Sequence, residues 1–112
     1  MRICFDLDET LCTGKHEKAV PIPGVKDLLF RLKEKGYHII IYTARGMGSS
    51  NGNIGLAIKK VGRLTLNQLE EWGFVYDEII FGKPSADLYV DDKAINANLM
   101  HRLEEIVELS NE

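Results

Sequence analysis

The chain has 112 residues, 45% hydrophobic and 28% charged, with a net charge of −3. That length predicts one domain, 1–112, able to bury a core without disulfide staples. The acidic balance argues against nucleic acid as a partner. No apolar run approaches the roughly 18 residues of a membrane span, and Met1-Arg2 leads into a strand-like run, not a signal peptide. Cys4 and Cys12 make neither a zinc cluster nor a disulfide framework. The expectation is a soluble cytoplasmic protein with both thiols reduced and no membrane partner.

In chain order, the first predicted strand is Arg2 to Phe5. It runs into "DLDETL", with Asp6 and Asp8 one residue apart. The segment from Leu11 to Ile22 is polar and turn-rich, suited to a small β-flap. Val25, Leu28, Leu29 and Leu32 follow helical spacing between Pro23-Gly24 and Gly36. A second strand covers Tyr37 to Tyr42 and leads to Thr43-Ala44-Arg45. The glycine-rich stretch "GMGSSNGNIG", 46–55, is expected to be a mobile loop. A second helix covers at least Leu64 to Trp72 and stops at Gly73. Glu78 to Phe81 and Asp87 to Val90 are the third and fourth predicted strands, separated by Gly82-Lys83-Pro84. A last helix is expected from about Ile95 to Leu109, with Leu99, Leu103, Ile106 and Val107 as its apolar stripe.

The strands are continuous apolar runs, which suits strands covered on both faces. Strands alternating with helices predict βαβ units: an α/β, Rossmann-like parallel sheet with helices on both faces. In such sheets ligands bind beyond the carboxyl ends of the strands. Asp6 and Asp8, then Thr43 with Arg45, then Lys83, then Asp91 and Asp92 all follow strands. They are expected to converge. Four carboxylates in one place repel one another unless a cation joins them. Oxygen donors without His or Cys favour a hard ion, with Mg²⁺ foremost. Lys83 and Thr43 beside it would suit a phosphate.

Asp6-Leu-Asp8-Glu-Thr10, Thr43, Lys83 and Asp91-Asp92, in that order, resemble the four motifs of the haloacid dehalogenase (HAD) superfamily. Tyr42-Thr-Ala-Arg45, the glycine loop, and Gly82-Lys-Pro with Tyr89-Val-Asp-Asp-Lys-Ala94 more narrowly resemble its small capsule-biosynthesis phosphatases. The resemblance implies a HAD-like fold and a phosphatase. Asp6 would attack phosphorus and form an aspartyl-phosphate. Asp8 would protonate the leaving alcohol and later activate water. The Mg²⁺ ligands would be Asp6, the Asp8 backbone carbonyl and a motif-four carboxylate, with Asp92 preferred as direct ligand, Asp91 behind it, and Asn96 near a metal-bound water. Thr43, Ala44 and Lys83 would contact the phosphate. Arg45 reads equally as a phosphate contact or a structural ion pair. Metal-independent dehalogenation is disfavoured by Asp8.

Only 32 residues separate Thr10 from Thr43, and 39 separate Thr43 from Lys83. Neither gap holds a cap domain, so the site should be open unless the 46–55 loop or a second subunit of a homo-oligomer covers it. The leading expectation is a small phosphorylated substrate of sugar or polyol type, in capsule or surface polysaccharide biosynthesis. A protein or peptide phosphatase and a non-catalytic phosphate- or metal-binding regulatory module are the alternatives. His16, His38 and His101 show no ligand spacing, and Cys12 reads as an incidental thiol.

Overall fold

The structure, a computed structural model, describes residues 1–110. Three parallel strands form the central sheet: β1 (Arg2–Asp6), β4 (His38–Thr43) and β5 (Glu78–Phe81), in the order β1-β4-β5. The register pairs Cys4 with Ile40, Asp6 with Tyr42, Ile40 with Glu78, and Thr43 with Phe81. The carboxyl ends of the three strands are therefore level, and whatever follows each strand starts from the same edge.

Between β1 and β4 lie a two-residue hairpin and a helix. β2 (Cys12–Thr13) pairs antiparallel with β3 (Val20–Pro21) across a 3₁₀ turn at His16–Lys18, which is the expected flap. Helix α1 spans Val25–Glu34 and turns Val25, Leu28, Leu29 and Leu32 inward, as its spacing predicts. Gly24 precedes it at φ 89°, a left-handed conformation that favours glycine. Helix α2 spans Ile54–Glu71, a longer element than the sequence disclosed. Its start is set by Asn53, whose side chain accepts from the Leu56 N–H at 3.0 Å. The chain closes with a 3₁₀ turn at Ala97–Arg102 and helix α3 at Leu103–Ser110.

The larger core lies on one face of the sheet, while Ile40 is buried on the other. Phe5, Ile39 and Ile41 meet Leu29 and Leu32 of α1, Leu69 of α2, and Leu103 and Val107 of α3. Each fully buried Leu or Ile contributes roughly 1.5–3 kcal/mol. Glu104 accepts from Arg31 at 2.9 Å and Lys35 at 3.4 Å, which orients α3 on α1. These pairs are too exposed to add much stability.

Three expectations change, at 46–55, at 87–90 and in the last helix, which starts at Leu103 and not near Ile95, after a 3₁₀ turn that leaves Leu99 exposed. The 46–55 stretch is folded into consecutive turns, with Met47 and Ser50 buried and backbone bonds from Ser50 and Gly52 to the Met47 carbonyl. It serves as the N-terminal approach to α2. The largest change is at 87–90, which forms no strand: Leu88, Tyr89 and Val90 are 77%, 51% and 92% exposed. The reason is chain length. Parallel neighbours in one sheet need a crossover of about a dozen residues or more. Only residues 82–86 separate the end of β5 from Asp87. The apolar run has strand composition but no connection long enough to return it to this sheet as a parallel strand.

Candidate active site

Asp6 ends β1 and Thr43 ends β4, two positions fixed by the register. Lys83 follows β5 after one glycine, and its N–H donates to the Thr43 carbonyl at 3.1 Å. That bond continues the β4–β5 ladder past the formal strand end and sends the lysine side chain back over the sheet. Lys83 Nζ lies 3.3 Å from Asp6 Oδ1. The Lys83 ammonium also sits over the Tyr89 ring, 4.3 Å from its centroid. Asp6 and Lys83 are in contact, and each is partly open to solvent.

Asp8 is held differently. Past β1 the backbone turns sharply, with Glu9 at φ 61° and the Leu7 carbonyl accepting from Leu11 at 2.9 Å. Arg45, buried from solvent, donates from Nε to both Asp8 oxygens at 3.1 and 3.0 Å and from Nη2 to Oδ1 at 3.0 Å. Its Nη1 donates to Thr65 Oγ1 at 3.1 Å and Gln68 Oε1 at 2.6 Å, both on α2. Of the two readings of Arg45, the structure shows the ion pair. The guanidinium is consumed by Asp8, Thr65 and Gln68, and only 7% of the residue is exposed. The Asp8 Oδ1 also accepts from the Cys12 thiol at 3.4 Å. Oδ2, with one contact, is the freer oxygen.

Thr43 is fully buried, and its hydroxyl oxygen accepts from the Arg45 N–H at 3.1 Å. The Ala44 carbonyl accepts from Met47 N–H and closes the first turn after β4. The sequence reading missed Thr65, Gln68 and Cys12. A signal was present: Ala57, Val61, Thr65, Gln68 and Leu69 make the buried stripe of α2, and two polar residues interrupt it. A polar side chain on an inward helical face needs a partner, and here that partner is Arg45.

Burial, with the neighbouring Asp8 carboxylate adding to it, pushes the Cys12 thiol up to about 12. The thiol therefore stays protonated at neutral pH and works as a donor. Cys12 is expected to resist iodoacetamide at pH 7.5 in the native state and to react after denaturation, read by mass spectrometry. Native labelling as fast as that of a free thiol would contradict this placement.

Asp91 and Asp92 are not brought to this edge. Both are exposed, and Asp91 Oδ1 accepts from the Lys93 N–H at 2.8 Å in a local turn. Asn96 caps the 3₁₀ turn by accepting from the Asn98 N–H at 3.0 Å. The expected convergence of four carboxylates thus fails within a single chain, for the same reason that the fourth strand fails. Among the described residues, no three Asp, Glu, His or Cys side chains gather where they could hold a metal ion. Asp6 and Asp8 are oxygen donors suited to Mg²⁺, but one is tied to Lys83 and the other to Arg45.

The protein has an α/β fold of the HAD-like kind, with no cap domain among the described residues. It superimposes on a D,D-heptose 1,7-bisphosphate phosphatase from B. bronchiseptica, solved with magnesium and phosphate, with a TM-score of 0.51 and 15% identity. That match covers 99% of this chain and 64% of the larger protein. A structural-genomics target from Vibrio cholerae is nearer, with a TM-score of 0.85 and 31% identity over 96% of this chain and 94% of that one. The protein belongs to the same family as this Vibrio cholerae protein. No protein-family model matches the chain, and no curated protein sequence does.

Proposed function

We propose that the protein is a phosphomonoester hydrolase that works through an aspartyl-phosphate on Asp6. The observation that carries this is the Asp6–Lys83 contact of 3.3 Å at the level carboxyl edge of the sheet. A carboxylate attacking phosphorus splits a difficult hydrolysis into two easier steps. Lys83 binds the phosphoryl oxygens and stabilises the charge on them during transfer, a role its contact with Asp6 supports. Thr43, buried beside Arg45, fixes the strand end and the turn that follows it. Asp8, oriented by Arg45, enters the first step protonated on Oδ2, gives that proton to the leaving oxygen, and regains it from the attacking water as the base of the second step. The fold shared with a heptose bisphosphate phosphatase supports the same reading.

Mg²⁺ belongs to this proposal as the activating ion, supported by the all-oxygen donors. The substrate class proposed is a small sugar or polyol phosphate, a building block of capsule or surface polysaccharide. A depression lined by Met47, Gly48, Asn51, Gly52, Pro84 and Ser85 adjoins Lys83 in sequence and offers amide and hydroxyl groups to a hydroxylated leaving group. It is the surface we assign to recognition of the leaving group.

A panel of phosphorylated metabolites, assayed with Mg²⁺ and with EDTA, tests the reaction. Release of phosphate from sugar or polyol phosphates, lost with EDTA, is expected. A preference for phosphopeptides would replace the substrate class, and no turnover of any phosphomonoester would remove the reaction. Gly48→Phe tests the depression. A Cβ at Gly48 meets only Ser85 Oγ, at 3.8 Å, so a side chain can start there without strain in the turn. The kcat/KM for the preferred metabolite should fall about 10-fold, while acetyl phosphate, with its small leaving group, should be unaffected. Equal losses for both substrates would place recognition elsewhere.

A further inference from the structure

Each copy of the chain carries two unsatisfied halves of one interaction. The first is the outer edge of β1. β1 lies at the border of the sheet, with β4 on its other side and no backbone partner beyond it among the described residues. The second is the run Leu88-Tyr89-Val90, three strand-forming residues lying exposed, with no ladder of their own. An open edge and an exposed apolar strand segment are each liabilities alone. The five residues 82–86 are too few to join them within one chain as parallel neighbours.

We infer that residues 87–92 of one copy pair, parallel, with the outer edge of β1 in a second copy, and that the exchange is reciprocal. A short connection that cannot close on its own sheet is the setting in which strands exchange between protomers. The hinge holds Gly82 at φ 99° and Pro84, which direct the chain away from β5. Each copy carries one outer β1 edge and one 87–92 segment, so a reciprocal exchange closes as a two-fold dimer.

Direction and register have a chemical consequence. A strand running parallel to β1 has its carboxyl end level with Asp6. Pairing Tyr89 or Val90 opposite Cys4 puts Asp91 or Asp92, respectively, opposite Asp6, because side chains alternate along both strands. The partner's Asp91 and Asp92 would then join Asp6 and Asp8, supplying the carboxylates that one chain cannot bring there. This last step rests on the phosphatase reading; the strand exchange does not.

The strand exchange is tested without activity. Sedimentation of the wild-type protein at micromolar concentration should give a dimer, and a monomer would overturn the inference. Leu88→Asp with Val90→Asp should give a monomer of unchanged circular dichroism, since both side chains are exposed in the single chain. A dimer that survives the double change would overturn it. Cys4 is exposed on β1 and supplies a native probe. Oxidation of Tyr89→Cys or of Val90→Cys should give a disulfide-linked dimer that disappears in a Cys4→Ser background. No linked dimer from either variant, or one that persists without Cys4, would overturn the pairing. Co-expressing Asp6→Asn chains with Asp91→Ala/Asp92→Ala chains should then restore activity to roughly a quarter of wild type, the share of intact sites in a random two-fold dimer. Linked dimers without restored activity would leave the exchange standing and refute the role of its carboxylates in the site.

Discussion

Asp6→Asn is expected to abolish phosphate release and leave the fold intact. The amide keeps the shape of the carboxylate but cannot attack phosphorus, so kcat should fall by about 1,000-fold or more, roughly 4 kcal/mol of barrier. Stability should change little. Asp6 and Lys83 form one partly exposed pair, worth about 1 kcal/mol at most. Loss of activity with an unchanged melting curve therefore separates a chemical role from a structural one. Wild-type turnover in this variant would remove Asp6 as the nucleophile.

Asp8→Ala is expected to damage both activity and stability. It leaves a buried guanidinium facing Thr65 and Gln68 with no carboxylate. Removing one partner of a buried pair typically costs about 3–5 kcal/mol, and the half-open position of Asp8 places this variant at or below the low end of that range. Arg45→Lys should weaken the site from the other side. A lysine cannot grip both Asp8 oxygens and reach two acceptors on α2 at once. It should lower both the melting temperature and kcat, with the kcat defect smaller for acetyl phosphate, whose leaving group needs less protonation. If Arg45→Lys matches wild type in both respects, the guanidinium does not position Asp8.

Much of the fold was legible because local signals and packing agreed. The α1 stripe, the flap and the first three strands are each short-range patterns, and they formed where the sequence placed them. Asp6, Thr43 and Lys83 were legible because strand ends in a parallel sheet share one edge. Asp87 to Val90 misled for a physical reason: strand composition is a local property, whereas sheet membership depends on the length of the connection. Residues 82–86 held that information, but it is read by counting residues and not from side-chain type. The partnership of Arg45 with Asp8 was only half legible. It depends on two polar residues of α2, 20 and 23 positions along the chain from Arg45, whose start the sequence did not disclose.

The proposed mechanism turns on a covalent phosphoryl group on Asp6. The most direct measurement is an acid quench of the enzyme during turnover of its best phosphomonoester, followed by peptide mass spectrometry. The expected result is one phosphoryl group on the peptide containing Asp6, absent from Asp6→Asn. A phosphoryl group on another residue, or turnover that continues with no covalent phosphate at any quench time, would contradict it.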